Sequence, residues 1–195
     1  MSVPTFRFAT STDDAAIAGV HWASRRLAYR GVVPEENLDA RTPDVLTAEW
    51  REILARRDGT EHILAVLPGD AVVGFVSGGP VRPRERPVAG DLSGVTAEIS
   101  LLYVAPERMG QGIGRALFGR MARHLAGLGH RALLVWGFRD NPFLEFYSRL
   151  GGVPAAVSEG EVAGRLLPTR CFVWRDLDGL AAACAERRQR ASLGP

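Results

Sequence analysis

The sequence predicts one α/β domain built on a mixed sheet. Three observations support this. Two apolar runs rich in β-branched residues flank Pro68-Gly69-Asp70 in "HILAVLPGDAVVGFVSGGP", which reads as a hairpin. "VTAEISLLYVAP" is the strongest strand of the chain, and a helix with an apolar stripe at Leu117, Met121, Leu125 and Leu128 follows it. Strand and helix patterns are interspersed along the whole chain with no internal repeat. The 195 residues suffice for one full-sized domain, and an apolar content of 46% is that of a globular protein.

Each element has its own signal. "FRF" is a short strand. The helix after it takes Thr12 as N-cap, with Asp13 and Asp14 in the positive first turn. Ile17, Val20, Ser24, Leu27 and Ala28 form its stripe. "RGVVPEENLDARTPD" is a loop leading to a second helix, "VLTAEWREILARR". After the hairpin, "VRPRERPVAGDLSG" is rich in Pro, Arg and Gly and reads as a loop. The striped helix stops at Gly129, and "RALLVWGF" is the next strand. "NPFLEFYSRLGG" is a short helix with Asn141 as N-cap, Pro142 in first position and Gly151 at the exit. The strand "TRCFVWRDL" precedes a polar, arginine-bearing tail. The expected domain is 1–195, with a core over about 5–177 and a tail over 178–195.

Composition excludes several chemistries. The formal net charge is +2, so no overall field favours nucleic acid or membrane. Every basic residue is arginine, which excludes a lysine Schiff base and a P-loop lysine. Cys171 and Cys184 are far apart, and the histidines His21, His62, His124 and His130 are scattered, so no metal is expected. No stretch has the length and apolarity of a bilayer span. The start, "MSVPTFRFATSTDD", lacks the blocks of a signal peptide, and a cytoplasmic protein is expected.

"YVAPERMGQGIGRALFGRM" packs Gly110, Gly112 and Gly114 into the mouth of a helix, although glycine there costs about 1 kcal/mol relative to alanine. The first N–H groups of a helix have no partner within it and suit a phosphate. Bare backbone lets the phosphate approach. No acid occurs between Arg108 and Arg131, while Arg115, Arg120 and Arg123 recur. The spacing is neither a dinucleotide fingerprint nor a P-loop. A glycine-tolerant helix start with tight packing is the alternative.

"EISLLYVAPERMGQGIGRALF" resembles motif A of the GNAT superfamily of acyl-CoA-dependent N-acyltransferases, and "NPFLEFYSRLGG" resembles its motif B. "HWASRRLAYRGVVPEENLD" is similar to the opening helix and loop of many bacterial members. The resemblance implies a mixed, mostly antiparallel sheet of six or seven strands, flanked by helices and splayed between "EISLLYV" and "ALLVWGF". It implies acetyl-CoA in that cleft, with the pantetheine arm along Leu102, Tyr103 and Val104. The pyrophosphate would sit on the N–H groups of Gly110, Gln111, Gly112, Ile113, Gly114 and Arg115. Met109 stands where the family usually has Arg or Gln, with Arg108 beside it.

Acetyl transfer to an amine needs a neutral amine, a stabilised oxyanion and a proton for the thiolate. By alternation, Glu98 shares a face with Ser100, Leu102 and Val104. It matches a glutamate that acts as general base in the histone-modifying branch; a solvated strand carboxylate is the alternative. Tyr147 matches the motif B tyrosine that can protonate the thiolate; packing with Phe143 and Leu150 is the alternative. Asn141 would also touch the pantetheine arm. Trp136 takes a position where some N-terminal acetyltransferases carry a glutamate. Trp22, Tyr29, Glu35 and Glu36 are acceptor-pocket candidates, and the two glutamates suit a cationic amine. Neither cysteine lies in the motifs, so direct attack in a ternary complex is expected rather than a covalent acyl-enzyme.

The expected partner is a small-molecule or protein amine, with no nucleic acid, no membrane and no metal; a homodimer is compatible with the sequence. A non-catalytic acyl-CoA sensor or scaffold is the alternative function, and a binder of nucleotide phosphates is a third.

Overall fold

The computed structural model describes residues 3–56 and 58–192, and side chains as far as residue 185. Eight strands form one sheet in the order β1-β2-β3-β5-β6-β8-β7-β4. They are β1 (Thr5–Phe8), β2 (Glu61–Leu67), β3 (Ala71–Pro80), β4 (Ala89–Gly90), β5 (Ala97–Val104), β6 (Leu133–Phe138), β7 (Val153–Val162) and β8 (Arg165–Trp174). Every neighbouring pair is antiparallel except β5 and β6. The helices are α1 (Asp14–Tyr29), α2 (Glu35–Ala40), α3 (Pro43–Ala55), α4 (Ile113–Gly127), α5 (Glu145–Arg149) and α6 (Leu177–Ser192). A mixed, mostly antiparallel sheet flanked by helices is the class expected, with one strand more than the upper count.

The core has two sides. On one, α4 presents Leu117, Phe118, Met121 and Leu125, all fully buried, to Ile99 of β5 and Leu133 and Val135 of β6. Truncating one such leucine to alanine costs about 2–5 kcal/mol. On the other, Ile17 of α1 and Trp50 of α3 close over Leu64 and Phe75. Further along this second face, Leu134, Cys171 and Val173 pack beneath Val81, Leu92 and Val95.

Several local expectations need correction. The N-cap of α1 is Asp13, not Thr12. The Asp13 carboxylate accepts from Arg7 at 2.7 and 2.8 Å and from the Thr10 N–H at 2.7 Å, tying β1 to α1. The hydrogen bond from Arg7 leads in holding its pKa down at about 2. Leu27 and Leu128 leave their stripes, being 50% and 60% exposed. Residues 35–40, expected as loop, form α2 because Leu38 is buried there. The helix of "NPFLEFYSRLGG" starts at Glu145, and Asn141 caps the turn before it by accepting from the Phe143 N–H at 2.9 Å.

The segment 81–94 is not all loop: β4 lies within it and pairs with β7. Residues 178–192 of the expected tail belong to the helix α6, which buries Leu177, Leu180, Ala181 and Cys184 against α4, while 193–195 lie outside the described residues. The β5 alternation also breaks. Ser77 pairs with Leu101 and Gly78 with Ile99, so Ser100 is an extra residue in β5. Ala97 and Ile99 face α4 before this bulge, and Leu102 and Val104 face it afterwards. Glu98 therefore shares its face with Leu101 and Tyr103, not with Leu102 and Val104.

Candidate active site

β5 and β6 pair only at Ala97–Leu133 and Glu98–Leu134. Beyond those residues the two strands diverge, and each keeps its ladder to the neighbour on its outer side. The gap leaves a row of strand-edge groups without a strand partner, on which an extended amide chain could pair. A cavity of about 340 Å³ occupies the gap. β5 and β6 supply two of its sides, the end of α1 a third, and the glycine loop and the 141–147 segment the rest.

The glycine loop is shaped by two left-handed residues. Gly110 and Gly112 have φ of 75° and 79°, and a Cβ on either would project into open space. Side chains there would be strained and would fill the space in front of α4. Gly112 is the N-cap of α4 and offers no side chain to its first turn, which holds no acid. Among the described residues, no N–H from Gly110 to Arg115 donates a hydrogen bond. Arg108 lines the cavity and, among the described residues, forms no ion pair. Arg115 also lines it, donating from Nη2 to the Ala183 carbonyl at 2.6 Å, while its Nε is buried without a partner. Free N–H groups, a helix N-terminus and unneutralised guanidinium fit a pyrophosphate. Met109 adds only apolar lining, so Arg108 is the cation nearest that role.

All three tyrosines of the chain, Tyr29, Tyr103 and Tyr147, line this one cavity. Burial, and then the neighbouring Tyr29, push the Tyr147 hydroxyl above its ordinary value. Burial also raises Tyr103, again with Tyr29 next. Both hydroxyls therefore keep their protons across the physiological range and can donate. Tyr147 also packs on Phe146, Phe118 and Phe172, with centroids 5.4 to 6.0 Å away.

The structure gathers most of the expected residues. Leu102, Tyr103, Val104, Gly110, Gly112, Ile113, Gly114, Arg115, Asn141, Tyr147 and Tyr29 line the cavity. Gln111 does not, and its amide turns back to the Glu107 carbonyl at 3.3 Å. Glu98 stands outside the lining, next along β5 to the Ile99–Ser100 bulge, where Oε2 accepts from the Arg82 N–H at 3.3 Å. Trp22 is exposed, with Arg26 over its ring. Glu35 lies 3.7 Å from Arg26, and with Glu36 it lines a separate cleft against Ala163 and Arg165. The cationic-amine argument from Glu35 and Glu36 thus has no contact with the cavity.

Sequence reasoning missed Ser24 as a site residue. Its hydroxyl donates to the Val104 carbonyl at 2.8 Å, which pins α1 to the end of β5. A serine on an apolar helix stripe was the available signal. Among the described residues, no group of three or more His, Cys, Asp or Glu could hold a metal. No described helix is long and apolar enough to cross a membrane.

Residues 23–152 match the model of the acetyltransferase (GNAT) family. The chain belongs to that family. The matched span runs from α1 to the end of motif B and includes the whole cavity lining. The chain is 30% identical over 176 residues to an uncharacterised N-acetyltransferase, YuaI, of Bacillus subtilis (strain 168), covering 90% of this chain and 95% of the relative. In fold it is similar to a GCN5-related N-acetyltransferase from Rhodopseudomonas palustris, with a TM-score of 0.68, 23% identity and coverage of 90% and 97%. It is also similar to the PaiA N-acetyltransferase of Thermoplasma acidophilum, solved in complex with coenzyme A, with a TM-score of 0.62, 18% identity and coverage of 87% and 98%. This GNAT protein is an acetyltransferase enzyme.

Proposed function

We propose that this acetyltransferase moves an acetyl group from acetyl-CoA to a primary amine by direct attack within a ternary complex. The observation that carries the reading is the parting of β5 and β6 over a cavity that ends at six unpartnered N–H groups and contains Tyr147. The N–H groups of Gly110 to Arg115, with Arg108, would hold the pyrophosphate, and the open edge of β5 from Leu102 to Val104 would align the pantetheine arm. The Val104 carbonyl already accepts from Ser24, which leaves it one further lone pair. Acetyl-CoA supplies the activated thioester.

The residues divide the proton work. Glu98, on the face away from α4, takes a proton from the attacking amine. Tyr147, held protonated by burial, gives one to the departing sulfur. An N–C bond forms as the C–S bond breaks, and the products are an amide and a free thiol. Both cysteines are buried, and burial pushes the Cys171 thiol up to about 12, so neither offers a thiolate for a covalent route.

The test is thiol release from acetyl-CoA across a panel of amines, with Tyr147→Phe alongside. This variant removes one hydroxyl and keeps the aromatic packing. Turnover is expected to drop on the order of 10²-fold with the acetyl-CoA thermal shift intact. An unchanged turnover number would assign Tyr147 to packing alone.

A further inference from the structure

The sheet face turned away from α4 carries a charge arrangement that acetyl transfer as such does not explain. Glu98 precedes the β5 bulge and shares this face with Leu134 and Trp136 of β6. Trp136 lines the cavity. Arg84, from the segment between β3 and β4, lies over the Trp136 ring with Cζ 4.0 Å from its centroid. Beneath them is Cys171, the β8 partner of Trp136. Burial first and Glu98 second raise its thiol, while Arg84 opposes them. A carboxylate and a guanidinium thus flank one point on the sheet.

Among the described residues, these charges are not spent on each other or on other ions. Among the described residues, Glu98 accepts one hydrogen bond, from the Arg82 backbone. Arg84 is half-buried and, among the described residues, donates from Nη2 alone, to the Glu159 carbonyl at 3.3 Å, with Nε buried and unpartnered. Partial burial of an unpaired guanidinium is unfavourable. Stacking on the indole fixes the plane of that guanidinium. A planar fork held in place, with its counter-charge missing, matches a carboxylate.

We propose that the acceptor is an amine that also carries a carboxylate, an α-amino acid in its simplest form. Arg84 holds the carboxylate and Glu98 faces the amine. The inference rests on the acetyl transfer proposed above. It reads the unpaired positive and negative groups around Trp136 as the complement of a zwitterion. Acetylation removes the charge that Glu98 recognises and leaves the one that Arg84 holds.

The test uses the full chain with acetyl-CoA and follows thiol release. Matched sets of acceptors are compared: α-amino acids, their amides and the decarboxylated amines. The free acids are expected to exceed their amides in kcat/KM by roughly 10- to 100-fold, the worth of a hydrogen bond to a charged group. In Arg84→Met that preference should fall toward one, with KM for the acids rising more than kcat falls. Arg84→Lys should restore part of it, because the charge returns without the fork. Amides or decarboxylated amines that equal the acids would overturn the inference and leave acetyl transfer standing. Equal losses for acid and amide in Arg84→Met would also overturn it, since that is the mark of a packing role beside Trp136. Thiol release that no acceptor raises above the amine-free background, while acetyl-CoA still shifts the melting temperature, would overturn the transfer reading and this inference together.

Discussion

Acid should unfold this protein through two buried histidines. His21 and His62 are 7% and 8% exposed, and both sit beside Trp50. Burial, and then Arg41 and Arg25, lower His21 from 6.5 to about 3. Burial, and then Arg82, lower His62 from 6.5 to about 4. Besides burial, two arginines oppose a charge on His21, whereas at His62 Asp58 partly offsets Arg82. Nδ1 of His21 accepts from the Trp50 indole N–H at 3.1 Å, a donor that cannot reverse. Nδ1 of His62 meets the Ser77 hydroxyl at 2.8 Å, which can turn to accept.

A histidine lowered in the folded state is protonated first in the unfolded chain. Its stability is whole above pH 6.5 and is lost as pH falls toward the folded value. Between pH 6.5 and 4.5 each group forfeits about 1.4 kcal/mol per pH unit, so the pair gives up on the order of 5 kcal/mol. Total stability for a domain is about 5–15 kcal/mol, so acid unfolding should set in near pH 4–5. Asp13, at about 2 when folded, adds its own loss only below about 3.8. Urea unfolding followed by tryptophan fluorescence from pH 7.5 to 4.5 measures the slope. His21→Gln keeps an acceptor for Trp50 and should roughly halve it. A free energy of unfolding that stays flat between pH 6.5 and 4.5 would refute the reasoning.

The remaining predictions address the loop, the base and the helix contact of α6. Gly112→Asp should abolish stabilisation by coenzyme A in thermal denaturation, because it places an anion among the free N–H groups at the α4 start; normal binding would remove the loop from the phosphate site. Glu98→Gln should lower turnover by roughly 10²- to 10⁴-fold, with part regained at high pH where the amine is already neutral. A loss of melting temperature instead would make Glu98 structural. Gly119→Ala would bring a Cβ within 2.3 Å of Cys184 Cβ on α6. That overpacking should cost about 1–3 kcal/mol, partly offset by about 1 kcal/mol of helix propensity, and Cys184→Gly in the same chain should recover most of it. Additive losses in the double variant would place α6 elsewhere.

The local signals were legible wherever chemistry sits in consecutive residues. The three glycines, the acid-free start of α4 and the stripe of Leu117, Met121 and Leu125 need only neighbours in sequence to act, so a helix with a bare, open start could be read directly. Motif B was legible for the same reason, apart from where its helix begins. β7 was not. "VPAAVSEGEV" buries only Ala156, and it is a strand because β8 supplies a ladder along its length. The α6 segment looked polar until α4 offered Gly119 as a seat for Cys184. The face of Glu98 depended on Ser100 having no partner on β3, a register decided between strands far apart in sequence. The convergence of Tyr29, Tyr103 and Tyr147, and the meeting of Arg84 with Trp136, join residues from separate elements. Sequence periodicity reports which face of an element is apolar. It does not say which other element covers that face, because long-range pairing is set by the competition of all such faces for one core.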